Sequence, residues 1–179
     1  VHYELNVDIA NVNLSGKRTV DCALAVNGSI PAPTLEFTEG DDAEIVVNNT
    51  LLDQEASIHW HGILLPSEMD GVPYVSTPPI RAGQSRTFKF KIRQHGTFWY
   101  HSHTALQEQK GVYGAFIIHP KIEKFKYDKD LVVILSDWSD ENPDQIVRNL
   151  RKSGDYYLYK KGRVRSWFGA LESKSFGNF

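Results

Sequence analysis

The 179-residue sequence predicts an all-β fold, a sandwich or a barrel. Three observations carry that expectation. Short runs alternate apolar and polar residues with a period of two, the pattern of a strand buried on one face. Gly, Pro and Asn punctuate the runs at turn positions. No long amphipathic helical pattern occurs before residue 140, which leaves strands to build the main layers.

The first run sends Tyr3, Leu5, Val7 and Ile9 to one face and His2, Glu4, Asn6 and Asp8 to the other. A second run places Val20, Cys22, Leu24 and Val26 together and closes at Asn27-Gly28, a strong hairpin-type turn signal. On that face Cys22 reads as a small buried hydrophobe. Two prolines make 29–34 an extended connection leading to Leu35 and Phe37. Glu39-Gly40-Asp41 then turns the chain into Ala43, Ile45 and Val47. Further strands are expected at 56–62, 86–93, 97–103, 112–119 and 130–137. After Asp137 the character changes. Residues 144–152 fit a short helix with Ile146, Val147 and Leu150 on one side, and the aromatic residues beyond it follow no clear period. The expected organisation is a β domain over 1–137 and a helical, tyrosine-rich connection over 138–179.

Composition excludes several classes. A hydrophobic content of 41% and a net charge of −2 describe an ordinary globular chain long enough to bury a core. No apolar run approaches the ~18 residues of a membrane span. Between Thr19 and Ile80 there is no Lys or Arg but ten acids, a field that would concentrate cations, although solvated acidic loops give the same pattern. The basic stretch from Arg148 to Arg165 is short and confined to the tail, so no nucleic-acid partner is expected. One cysteine cannot form an internal disulfide and leaves the redox compartment unmarked. Val1 does not begin a signal peptide, as is also true of a mature exported protein.

Two His-x-His pairs concentrate the chemistry: His59 and His61 in IHWHG, and His101 and His103 in WYHSH. Residues i and i+2 of a strand share a face roughly 6–7 Å apart. Ser57, His59 and His61 would face one way, with Ile58 and Trp60 behind them. Thr97, Trp99, His101 and His103 would share a face on the second strand. Neighbouring strands with these faces turned together could converge four imidazoles, a donor set suited to copper, zinc, iron or nickel. No Cys-x-x-Cys or His-Glu-x-x-His pattern points to a structural zinc or a zinc protease. Surface polar positions on a sandwich remain the alternative at this stage. His2, His95 and His119 lie at a terminus, a turn and a strand end, and are not expected to be ligands. Trp60 and Trp99 read as packing residues.

The segments NGSIPAPTLEFTEGD, SIHWHGILLPSEMDGVP and RAGQSRTFKFKIRQHGTFWYHSHTALQEQKGVYGAFII resemble the first cupredoxin domain of multicopper oxidases. EMDGVP and LQEQKGVYG are most similar to the periplasmic branch of copper-resistance protein A. The likeness runs from about Val7 to Pro120. It implies a cupredoxin-like Greek-key β-sandwich with a short C-terminal helical and aromatic arm. It also implies copper at a trinuclear centre that reduces dioxygen to water, with His59 on the type 2 copper and His61, His101 and His103 on the type 3 pair. Asp70 falls where the family keeps an acid that relays protons to reduced oxygen, a role suited to a positioned carboxylate. A plain turn role in Asp70-Gly71 explains the same residues.

A complete oxidase of this family also needs HPxHxHGH and HCHxxxHxxxM, and neither occurs here. Met-rich copper-binding repeats are absent too, since Met69 is the one methionine. The resemblance therefore implies a first domain plus the start of its connection to a second. Copper, dioxygen and the remaining cupredoxin domains are its expected partners, and the isolated chain is expected to lack oxidase activity. Two other functions fit the sequence: a copper-binding module without turnover, and a structural domain that self-associates.

Overall fold

The computed structural model describes residues 1–157 and residue 171. It divides into two compact units, Val1–Asp140 and Glu141–Phe179. In the first unit β1 (His2–Val12), β2 (Val20–Val26), β4 (Asp42–Asn49) and β6 (Ser85–Lys91) form a sheet in the order β2-β1-β4-β6. A second sheet contains β3 (Ala32–Thr38), β5 (His59–His61), β7 (Gly96–His101) and β8 (Tyr113–His119) in the order β3-β8-β7-β5. Each sheet contains one parallel pair, β1 with β4 and β3 with β8, and its other pairs are antiparallel.

The alternation read from the sequence becomes the core. Leu5 and Val7 of β1, Ile45 and Val47 of β4, and Phe88 of β6 turn inward from one sheet. Leu35, Phe37, Trp60, Tyr100 and Phe116 meet them from the other. Trp60 packs edge-on against Phe88 at 5.3 Å between ring centroids, which joins the two layers directly. Side chains of this size each stabilise the fold by roughly 1.5–3 kcal/mol when fully buried. The Trp60 indole Nε1 is buried without a hydrogen-bond partner among the described residues. Of the sandwich and the barrel that the periodicity allows, the two sheets form the sandwich, cupredoxin-like as the family resemblance implies.

Several local expectations are corrected. The pairing of β1 with β2 shifts between Ala10↔Ala23 and Val12↔Val20, so β2 carries one extra residue there. That bulge breaks the two-residue period, and Cys22 is exposed rather than buried. Residues 29–34 are not wholly a connection, because β3 begins at Ala32. Pro33 is accommodated since β3 is an edge strand whose pairing with β8 is irregular between Ala32 and Leu35. Instead of a strand over 56–62, β5 covers only His59–His61, while Ala56 bridges Ile80. Residues 130–137 are not a strand. Their apolar run would need cover on both faces, and Leu131 and Leu135 are 78% and 92% exposed.

In the second unit, the helix expected over 144–152 forms as α2 (Pro143–Lys152); the label α1 belongs to a short helix in the first unit, Gln107–Lys110. Asn142 caps α2 by accepting from the Asp144 backbone N–H at 2.9 Å, Pro143 occupies the first turn, and Arg151 and Lys152 lie in the last. Ile146 and Val147 are half-buried and Leu150 is exposed. Of the tyrosine-rich sequence expected to form an arm, Tyr156 and Tyr157 are described, with rings 5.0 Å apart, while residues 158–170 and 172–179 lie outside the described residues.

Candidate metal centre

Strands β5 and β7 pair antiparallel with His59 opposite His101, Trp60 opposite Tyr100 and His61 opposite Trp99. Residues opposite one another project to the same face, so this register sorts the side chains. Trp60 and Tyr100 enter the core, while the histidines and Trp99 share the other face. Trp60 is therefore a packing residue, as expected. Trp99 instead stacks on His101, with ring centroids 3.9 Å apart and planes within 7°.

The imidazoles converge. One ligand nitrogen from each of His59, His61 and His101 lies within 4.8 Å of the others. The His103 ring is 5.0 Å from that of His59 and 4.8 Å from that of His101. The expected strand over 97–103 stops at His101, so His103 reaches the cluster from the loop after β7 and not from a strand position. Its position comes from a buried polar knot. The His103 backbone N–H donates to Ser57 Oγ at 3.0 Å, the Thr104 N–H donates to Ser102 Oγ at 3.0 Å, and Ser102 Oγ donates to Gln107 Oε1 at 2.8 Å. Gln107 Nε2 closes the knot on the Glu55 carbonyl at 2.8 Å.

Two carboxylates address the outer nitrogens. His59 Nδ1 is 2.8 Å from the Asp70 carbonyl and 3.3 Å from Asp70 Oδ1. It donates in that direction, leaving Nε2 as the ligand atom. His101 Nδ1 is 2.6 Å from Glu108 Oε2 and 3.2 Å from the Ser102 carbonyl. Burial lowers the pKa of His101, against the opposing pull of Glu108. Burial and the neighbouring His59 lower that of His103. Both shifts favour neutral imidazole, the form that binds metals.

Of the sequence candidates, His59, His61, His101 and His103 come together, and Asp70 stands beside His59. Ser57, which alternation grouped with His59 and His61, gains a role as acceptor for His103, and Glu108, Ser102 and Gln107 are additions. No spacing rule reveals these three, because the chain leaves the strand between His101 and Glu108. Imidazole alone makes up the three-residue set, which suits copper. His61 Nδ1 and His101 Nε2 face each other at 3.2 Å. Two nitrogens at that separation would subtend about 100° at one ion with bonds of about 2.0–2.1 Å. The donor set and its spacing both fit.

The family model for multicopper oxidases matches residues 6–123. Copper resistance protein A of Escherichia coli is 46% identical over 96% of this chain, and its counterpart in Pseudomonas syringae pv. tomato is 44% identical over the same share. This chain spans 28% of the length of each. Among solved structures, Fet3p, described as a multicopper oxidase that functions in iron import, superposes with a TM-score of 0.76 at 29% identity, covering 82% of this chain and 28% of its own. A multicopper oxidase from Pseudomonas thermotolerans superposes with a TM-score of 0.65 at 35% identity, covering 69% of this chain and 30% of its own.

Proposed function

The chain belongs to the multicopper oxidase family, and on that footing we propose that its four histidines supply part of the copper centre at which a longer parent enzyme reduces dioxygen to water. The observation that carries this reading is the convergence of His59, His61 and His101 ligand nitrogens within 4.8 Å, set by the β5–β7 register. His59 would hold the type 2 copper, and His61, His101 and His103 the type 3 pair. The remaining ligands and the electron-accepting copper would come from further cupredoxin domains of the parent.

Copper, when bound, supplies one-electron redox chemistry for dioxygen reduction. This chain's residues do the rest of the local work. The strand pair fixes the imidazoles relative to one another. Asp70 holds His59 by the Nδ1 side, and its carboxylate also accepts from Ser76 Oγ at 3.3 Å. Its side chain keeps 30% exposure, so it can exchange a proton with water while remaining beside His59. That placement suits a proton donor to reduced oxygen.

Similarity to the copper resistance proteins supports a role in copper tolerance and an exported, periplasmic location. Among the described residues no helix is long and apolar enough to cross a membrane. Our reading takes 1–137 as the cupredoxin domain and 138–179 as the connection toward a further domain of the parent.

Copper titration of the purified chain against a chelator tests the reading. The wild type should bind copper, and a His59→Ala/His101→Ala double variant should lose that affinity. Equal affinity in the two would sink the proposal. The copper-loaded chain alone should not oxidise Cu(I) or a phenol. Turnover abolished by His101→Ala would show a self-sufficient catalyst and overturn the division of labour.

A further inference from the structure

The shortest polar contact at the centre belongs to a residue without an assigned role. Glu108 Oε2 lies 2.6 Å from His101 Nδ1. On the other side of the ring, His101 Nε2 faces His61 Nδ1 at 3.2 Å. One carboxylate therefore addresses the outer nitrogen of an imidazole whose inner nitrogen points into the cluster. Neutral imidazole carries a proton on one nitrogen only, so a carboxylate acceptor at Nδ1 selects the tautomer whose Nε2 lone pair is free.

The placement of Glu108 is built. It lies in α1, a single turn fixed on three sides. Gln107, the residue before it, is buried and hydrogen-bonded at both ends of its amide, to Ser102 and to the Glu55 carbonyl. Gly111 ends the turn at φ 125°, and a Cβ there would lie 2.4 Å from the Leu24 carbonyl oxygen, so the turn packs directly against β2. Trp99 stacked on His101 fixes the plane of the ring, and Glu108 fixes its edge. The Ser102 carbonyl, 3.2 Å from the same nitrogen, is the competing acceptor. It is farther away and uncharged, hence the weaker of the two.

We infer that Glu108 is a positioning residue for copper binding: its carboxylate holds His101 in the Nδ1–H tautomer, directs Nε2 into the centre and raises the basicity of that nitrogen. Carboxylate–histidine–metal pairs of this kind change metal affinity by about 10–100-fold when the carboxylate is removed. The inference rests on the copper reading above and extends it to a residue outside the two histidine motifs.

The test uses the whole chain in three forms: wild type, Glu108→Gln and Glu108→Ala. Nitrogen-15 NMR of the imidazole signals in metal-free protein reads the His101 tautomer with no copper present. Wild type should show protonated Nδ1 and bare Nε2, and Glu108→Ala a mixture. Chelator competition should then show copper affinity reduced about 10–100-fold in Glu108→Ala, with Glu108→Gln intermediate because its amide oxygen still accepts. Thermal melting should barely move, since Glu108 is partly exposed. An unchanged tautomer in Glu108→Ala would mean that the Ser102 carbonyl suffices, and would overturn the inference. Affinity within about twofold of wild type would overturn it as well. If the wild type itself bound no copper, the reading of the centre would fail, while the metal-free tautomer would still decide whether Glu108 orients His101.

Discussion

A Cβ on Gly71 would stand 1.7 Å from the carbonyl oxygen of Ile58, so the backbone of the Asp70 loop lies directly on the segment entering β5. Gly71 also sits at φ 83°, and its N–H donates to Thr77 Oγ1 at 2.9 Å. Contact, conformation and hydrogen bond together hold Asp70 against His59. Gly71→Ala must push the loop away. It should destabilise the domain by about 2–5 kcal/mol, combining left-handed strain with overpacking. Urea denaturation would measure that loss, and the His59 ring signals should shift as the Asp70 contact opens. An unchanged midpoint would mean that the loop relaxes freely.

The four histidines are not equivalent in position. His61 belongs to the set whose nitrogens lie within 4.8 Å, whereas His103 lies outside it, in the loop after β7. The tightest copper equivalent of the chain should therefore depend on His61. His61→Ala should weaken it by about tenfold or more, roughly 1.4 kcal/mol or above. His103→Ala should change it by less than about threefold, under ~0.7 kcal/mol. Chelator competition distinguishes the two, and the reverse order would contradict the grouping.

The polar knot behind the histidines gives a stability prediction. Gln107 is buried and joins Ser102 to the Glu55 carbonyl. Gln107→Ala leaves Ser102 without its acceptor and should cost about 1–3 kcal/mol by denaturant unfolding. The tightest copper equivalent should change no more than in His103→Ala, by less than about threefold, because the knot places His103 and that residue lies outside the tight set. Unchanged stability, or a loss of affinity of about tenfold, would contradict this placement.

Trp60 should tolerate one substitution and not another. It is fully buried against Phe88 and Tyr100, yet its indole N–H has no partner among the described residues. Trp60→Ala should cost about 3–5 kcal/mol. Trp60→Phe leaves a smaller void and removes an unsatisfied donor, so its cost should stay below about 2 kcal/mol. Equal losses would mean that the indole N–H is bonded after all.

Cys22 offers a test of the β2 bulge. An exposed thiol should react fully with a thiol reagent in the folded protein, at a rate close to that in denaturant. Protection would restore the buried position that strict alternation predicts.

Periodic residues were readable from the sequence, and residues fixed by irregularity were not. Leu5 and Val7, Ile45 and Val47, and the pair His59 and His61 follow the two-residue period and lie where it puts them. Cys22 does not, because one extra residue in β2 shifts the phase, and no local feature marks which residue is extra. Residues 130–137 read as a strand from their apolar run, yet they form none, and Leu131 and Leu135 are exposed. At the centre, the two histidine motifs and Asp70 were visible as residue types. Glu108 and Gln107 were not, since their use depends on where the chain turns after His101.

The register His59↔His101 has a consequence for how molecules of this protein are judged sound. Slipping β5 by one residue along β7 would turn Trp60 out to water and drive imidazoles into the core. Such a molecule could retain most of its sheet structure and still be unable to bind copper. The copper-titratable fraction of a preparation is thus a census of correctly zipped strands. It detects a fault that circular dichroism, which averages over both sheets, would pass.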